Sequence, residues 1–444
     1  MKTNRTNEIS SRLIFILLLS LPLVILFMLP SGAMLGSAWF WIALMLCFLL
    51  IWTFIGRPRN EETEAAESRP QMIHESEQPD PVKAVMDVHV ATQRDGIQAF
   101  QGKLRIPASA AFESLTKTLG AGKTPLIQED EVHGQSIILI PGGVRDEILT
   151  NPSRPMVHWL LFFLTILTTT WAGAAHQGVN LISEPERFSV GLPYSLGLLA
   201  ILGFHELGHY FTARRHAINV TPPFFIPLPF ALGTFGAFIK MRSPSQNRTA
   251  LFDVAVAGPL AGLVIAIPAL LIGLRSSTIL PPDTESLGHI FGGTSVGSSL
   301  LFALLAKFSL GDALETGHLI RLSPLAFAGW LGLLVTALNL LPIGQLDGGH
   351  MARAMFGTHT GRNISRIAMW TLLLLAVFVW PGLMMWALIV FFIAGRSSPP
   401  LNDVTPISGG RRWLGYATFA ILAAIIIPLP HSIWDAAGFH CPYL

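Results

Sequence analysis

Apolar runs long enough to cross a bilayer recur along this chain, and no other feature limits its fold as much. A helix needs roughly 20 predominantly apolar residues to traverse the hydrocarbon layer, and about nine runs approach that length. They lie near residues 13–29, 36–55, 156–175, 190–213, 250–273, 323–343, 365–380, 382–395 and 413–429. Composition agrees, since 51% of the residues are hydrophobic and 13% charged, about half the charge of an ordinary soluble domain. The expected fold is a polytopic α-helical membrane protein with about eight to nine transmembrane helices, for which the lipid bilayer is the first partner. A dispersed net charge of +2 with no basic cluster excludes nucleic acid as a partner. Cys47 and Cys441 are too few for a disulfide framework or a four-thiolate metal site.

The runs divide the chain. Lys2, Arg5 and Arg12 precede the first of them in the manner of a signal peptide, but a second run begins almost at once. Residues 1–56 are therefore expected to be an uncleaved transmembrane hairpin. Residues 57–83, rich in Glu, Pro and Arg, have the composition of an acidic linker. Residues 84–150 predict a small α/β soluble domain. Its strands are expected at 84–90 and 97–106, its helix at 108–119, and a hairpin over 124–129 and 135–140 around Val132-His133-Gly134. Lacking metal-ligand spacing or a phosphate loop, it reads as a docking or regulatory domain that meets a regulatory partner. Residues 151–405 form the membrane core, and 406–444 a C-terminal transmembrane helix and tail. Arg57, Arg59, Arg214, Arg215, Lys240, Arg242, Arg248, Arg353, Arg362 and Arg366 fall on one side of the spans. That side, with the soluble domain, is expected to be cytoplasmic.

Ionisable residues inside a spanning run are costly and point to function. Within 190–213 stands His205-Glu206-Leu207-Gly208-His209. Histidines four apart project from one helix face a turn apart, the reach needed to share one zinc. Glu206 beside them is a candidate general base for water that the metal activates. The bland alternative is two histidines and a glutamate merely paired in a bundle. Two histidines leave a catalytic zinc one protein ligand short, with a fourth position open. The candidate third ligand is Asp347, in Leu338-Asn339-Leu340-Leu341-Pro342-Ile343-Gly344-Gln345-Leu346-Asp347-Gly348-Gly349-His350. Pro342, Gly344, Gly348 and Gly349 weaken a regular helix there, and irregular backbone at membrane depth survives only where it is buried or lines a wet cavity. Alone, Asp347 would read as an interfacial cap; beside a histidine pair lacking a ligand, the metal role takes precedence. His158, His176 and His318 have no partner at metal spacing and read as packing or surface residues.

The two motifs together resemble the site-2 protease family of intramembrane zinc metalloproteases. Ala257-Gly258-Pro259 with Ala261-Gly262 is similar to the small-residue helix the family places between them, where helices pack closely. The likeness runs from about Tyr194 to Thr405. Thr221 to Pro227, Gly233 to Ala237 and Leu401-Asn402-Asp403-Val404-Thr405 resemble the plastid and cyanobacterial branch, although Gly102-Lys103-Leu104-Arg105 departs from the Gly-Asn-Leu-Arg often found there. The resemblance implies one Zn2+ per chain on His205, His209 and Asp347, Glu206 as catalytic residue, and Asn339 near the active site as a substrate-binding group. It also implies a function: hydrolysis of peptide bonds in transmembrane protein substrates, as in regulated intramembrane proteolysis. The alternative is a proteolytically silent member acting as a membrane chaperone or scaffold, for which an intact Glu206 serves no chemical need.

A spanning substrate hides its amides in its own hydrogen bonds and must unwind before it is cut. Pro222 to Lys240, interrupted by Pro222, Pro223, Pro227, Pro229, Gly233 and Gly236, is too broken for a stable spanning helix, and the family resemblance implies a membrane-associated β-hairpin there. Its free edge, at Phe235 and Gly236, is the candidate site for an extended substrate strand. Residues 297–310 predict a short interfacial helix. No Ser- and Arg-rich transit segment precedes the first run, so a bacterial inner membrane is expected, with a plastid membrane as the alternative.

Overall fold

In a computed structural model of the chain, the described residues are 71–427 apart from 75–77, 121, 131–133, 143–154, 230–231, 281–298, 312–318, 379–383, 385–386, 389 and 392–398. The expected N-terminal hairpin, both cysteines and His318 lie outside them.

The first unit is a five-stranded antiparallel sheet in the order β1-β2-β3-β5-β4. Its strands are β1 (Gln71–Met72), β2 (Met86–Arg94), β3 (Ile97–Leu104), β4 (Lys123–Asp130) and β5 (Gly134–Pro141), with helices α1 (Asp80–Val85) and α2 (Ala108–Leu119). Two residues, Asp95 and Gly96, join β2 to β3 with φ of 51° and 79°, the left-handed pair that a tight hairpin turn requires. Phe100, Ile127, Ile137 and Leu139 from the sheet bury against Ala111 and Leu115, one turn apart on α2. The strand expected over 84–90 is displaced: Val82, Val85 and Met86 bury at helical spacing, so α1 occupies the start and β2 runs on to the Asp-Gly turn.

The second unit is helical. Helix α3 (Pro155–His176) is followed by a short 3-10 turn and by α4 (Leu192–Arg215); β6 (Phe224–Pro227) and β7 (Thr234–Phe238) then form the expected antiparallel hairpin. Helix α5 (Arg248–Arg275) is capped at its start by the Asn247 side chain, which accepts from the Ala250 N–H at 2.8 Å. After it come β8 (Thr278–Leu280), α6 (Leu300–Leu310), β9 (Leu319–Arg321), α7 (Pro324–Leu340), α8 (Asp347–Phe378) and α9 (Gly409–Ile426). Among the described residues, α3 and α5 are long and apolar enough to cross a membrane, with mean hydropathies of 1.4 and 2.3. Helices α4, α7, α8 and α9 overlap further runs expected to span, but each is shorter or less apolar than α3 and α5.

Helix α5 is the centre of the helical core. Leu251, Phe252, Ala255, Val256, Leu263, Ala266 and Leu270 bury against Ala326, Leu333 and Leu340 of α7, Phe302 of α6 and Leu422 of α9. Small residues allow α4 to cross it closely. A Cβ added at Gly208 would stand 2.5 Å from the Ala257 carbonyl oxygen and 2.9 Å from the Ala261 methyl group. That crossing holds the histidine motif against α5. The outer face of α3, by contrast, exposes Met156, Trp159, Leu160, Phe163 and Leu167, a continuous apolar surface of the kind that meets lipid.

Candidate metal centre

Helix α4 carries His205, Glu206 and His209 into the interior, where all three are buried. The two imidazoles meet edge to face with centroids 4.9 Å apart, and their Nε2 atoms are 3.1 Å from each other. Asp347, the first residue of α8, sets its Oδ2 3.4 Å from His205 Nε2 and 3.3 Å from His209 Nε2. Among the described residues this is the His, Cys, Asp and Glu cluster whose donor atoms converge, all within 4.8 Å of one another. Zinc bonds of about 2.0–2.1 Å in tetrahedral geometry put neighbouring ligand atoms about 3.3 Å apart. The three measured separations form one face of such a tetrahedron, so two neutral imidazoles and a carboxylate fit zinc in number, type and spacing.

His209 is held in the tautomer that a metal requires. Its Nδ1 lies 2.8 Å from the Val254 carbonyl oxygen. A carbonyl only accepts, so Nδ1 carries the proton and Nε2 is left with its lone pair toward His205 and Asp347. The ring has room because residue 258 is glycine: a Cβ there would overlap the Nε2, Cε1 and Cδ2 positions of His209. Gly262, one turn along α5, faces His205 more loosely, with an added Cβ 3.3 Å from its Cβ and Nδ1. Asp347 reaches the pair because the backbone before it is compact. Gly344 takes φ of 50°, and a Cβ at Gly348 would collide with the Leu340 carbonyl.

Glu206 is buried beside the histidines. Asn339, near the end of α7, brings its amide nitrogen to 3.2 Å from His205 Nε2. The hairpin packs on α4 through Phe225, which is buried with Tyr194, Leu198 and Leu202. Phe235 is exposed on β7, and Gly236 has φ of 108° with open space around its α-carbon. His158, expected to have a packing role, stacks on Phe224 at 3.8 Å and places Nδ1 3.1 Å from the Pro223 carbonyl. Its donated proton pins the base of the hairpin to α3.

Residues 193–380, which contain both motifs and every side chain of the centre, match peptidase family M50. This segment belongs to peptidase family M50. A relative from Oryza sativa subsp. indica named probable zinc metalloprotease EGY2, chloroplastic, is 35% identical over 342 residues, covering 74% of this chain and 62% of the relative. The Arabidopsis thaliana protein named probable zinc metalloprotease EGY1, chloroplastic, is 31% identical over 296 residues, 62% of this chain and 53% of that protein. The chain thus spans between half and two thirds of the length of these relatives.

Two contributors to the M50 centre escaped the sequence reading. The Val254 carbonyl is a backbone group and leaves no sequence mark. Gly258 was visible in Ala257-Gly258-Pro259, but as a helix-packing residue rather than as the floor under a ligand ring.

Proposed function

We propose that this M50 chain is an intramembrane zinc metalloendopeptidase that cuts peptide bonds of membrane-spanning substrates. The observation that carries the reading is the convergence of His205 Nε2, His209 Nε2 and Asp347 Oδ2 beside the buried Glu206. Zinc, when bound, supplies a Lewis acid that polarises the scissile carbonyl and makes water acidic enough to lose a proton near neutral pH. His205, His209 and Asp347 hold it, one ion per chain. Glu206 accepts the proton from the attacking water and returns it to the leaving amine. The Asn339 amide, at the rim of the centre, donates to the oxygen on which charge develops. Phe235 and Gly236 offer the edge on which an unwound substrate lies as an added strand, which replaces the hydrogen bonds it gave up.

In this reading α3, α4, α5, α7, α8 and α9 all cross or enter the membrane. The unit at 84–150 stands on the side of Arg248 and Arg353, which the charge distribution makes cytoplasmic or its equivalent. The two relatives described above are named chloroplastic, which does not support the bacterial inner membrane expected from sequence. A plastid membrane, the alternative, is the compartment we propose. Purified in detergent and given a membrane-helix substrate, the wild-type chain should cleave it, and Glu206→Gln should bind zinc but lose about 10²–10⁴-fold in turnover. Equal cleavage by both would refute the assigned base.

A further inference from the structure

Leu401 to Thr405 is used by neither the metal centre nor the hairpin, yet Asn402 and Asp403 are 2% and 0% exposed. Residues 401–403 run extended between two partners. On one side Ile127 of β4 donates its N–H to the Leu401 carbonyl at 2.7 Å and accepts from the Asp403 N–H at 2.9 Å. On the other, the N–H groups of Leu401 and Asn402 donate to the carbonyls of Ser245 and Gln246, both at 2.9 Å, immediately before α5. The sheet unit is thereby joined to the base of the helical core by backbone hydrogen bonds.

The Asp403 carboxylate gathers charged donors from two helices. Arg248 Nε lies at 3.0 Å, Arg353 Nη2 at 2.8 Å and Nε at 3.3 Å, and the Thr358 hydroxyl also donates to it. Arg248 turns its Nη2 to Glu129 of β4 at 3.0 Å. Two guanidinium groups therefore balance two carboxylates, and one of those carboxylates belongs to the sheet unit. A buried charge that loses its partner is strongly destabilised, which couples Arg248, Arg353 and Asp403, whose side chains are 6%, 14% and 0% exposed, while Glu129, 39% exposed, adds the weaker contact from the sheet unit.

Both cations stand at the feet of the metal centre. Arg248 opens α5, the helix whose Val254 carbonyl orients His209 and whose Gly258 underlies it. Arg353 lies six residues past Asp347 on α8, about 9 Å along the axis. Helix α8 breaks at Gly357, where φ is 85° and an added Cβ would stand 3.0 Å from Arg248 Nη2. Asp403 grips α8 on both sides of that break, through Arg353 before it and Thr358 after it. The short helical run that begins with Asp347 is thus clamped at its far end.

We infer that Asp403 is a positioning residue for the metal centre, and that the sheet unit, through Ile127 and Glu129, sets the metal affinity of a site it does not touch. The inference rests on the proposed zinc function and adds a route by which the aqueous unit governs it. The test is zinc competition against a chromophoric chelator on the full-length chain in detergent, well below its melting temperature. Asp403→Asn should weaken zinc binding by about 10- to 100-fold, the range for groups that orient ligands from behind. Glu129→Gln, on the sheet unit, should weaken it by a smaller factor, and the double variant should bind no worse than Asp403→Asn, because both changes act through Arg248. A purely structural role would lower the melting temperature and leave zinc affinity unchanged. Folded Asp403→Asn and Glu129→Gln with wild-type affinity would overturn the inference; should Asp403→Asn not fold, unchanged affinity in Glu129→Gln alone would do so. Asp347→Ala, measured alongside, separates the two ideas. Loss of zinc there with full affinity in the other variants removes only the positioning role, whereas wild-type affinity in Asp347→Ala removes the site and the inference with it.

Discussion

Replacing Gly258 with alanine should leave the fold intact and damage the metal centre. Gly258 lies inside α5, where alanine is the better helix former by about 1 kcal/mol, so propensity alone predicts stabilisation. The new methyl group would occupy the space of the His209 ring at Nε2, Cε1 and Cδ2. The ring must swing away, which breaks its 2.8 Å hydrogen bond to Val254 and withdraws Nε2 from Asp347. Overpacking of this kind costs about 1–3 kcal/mol, and loss of the orienting bond lowers metal affinity about 10- to 100-fold. At a zinc concentration 100 times the wild-type dissociation constant, zinc-linked stabilisation of about 2.7 kcal/mol would fall to about 0.4 kcal/mol after a 100-fold loss. Melting curves with and without zinc, together with chelator competition, read both quantities. Gly262→Ala is the internal contrast, because its methyl group would meet His205 at 3.3 Å and needs a shift of only a few tenths of an ångström. Wild-type zinc affinity in Gly258→Ala, or a larger loss in Gly262→Ala, would refute the reasoning.

Three further outcomes are expected. Gly236→Pro should reduce cleavage while zinc content stays at the wild-type level, because φ of 108° is closed to proline and the hairpin edge would be lost; cleavage assayed beside metal analysis separates the effects. Asn339→Ala should lower kcat about 10²–10³-fold if its amide donates to the developing oxyanion, with little change in bound zinc; an effect confined to KM would assign it to substrate binding alone. Gly348→Ala should lower bound zinc, since its methyl group would collide with the Leu340 carbonyl and displace the neighbouring Asp347; metal analysis at wild-type zinc content would contradict that.

The centre was legible in the sequence to the extent that chemistry requires particular side chains. His205, Glu206 and His209 announce themselves by helical spacing, and Asp347 by a carboxylate among helix-breaking residues at the end of an apolar run. The prolines and glycines between Pro222 and Lys240 argued against a spanning helix, and the family resemblance supplied the hairpin. What stayed hidden depends on contacts between distant segments. The sequence marks Arg248 and Arg353 only as cations on one side of the spans, and Asp403 as part of a family-like motif. Their meeting over one buried carboxylate depends on how 401–403 threads between β4 and α5. The misplaced start of β2 has a local cause. Val82, Val85 and Met86 satisfy a helical period while the residues after them alternate, and the Asp95-Gly96 turn, which fixes where β2 ends, was the stronger signal.

Metal analysis of the purified full-length chain and of Asp347→Ala tests the centre most directly, because Asp347 joins the start of α8 to the histidine helix. One zinc per wild-type chain, lost from Asp347→Ala while the variant remains folded, is the predicted result. Zinc retained at full stoichiometry in Asp347→Ala, or none bound by the wild type after purification in zinc-containing buffer, would contradict the account.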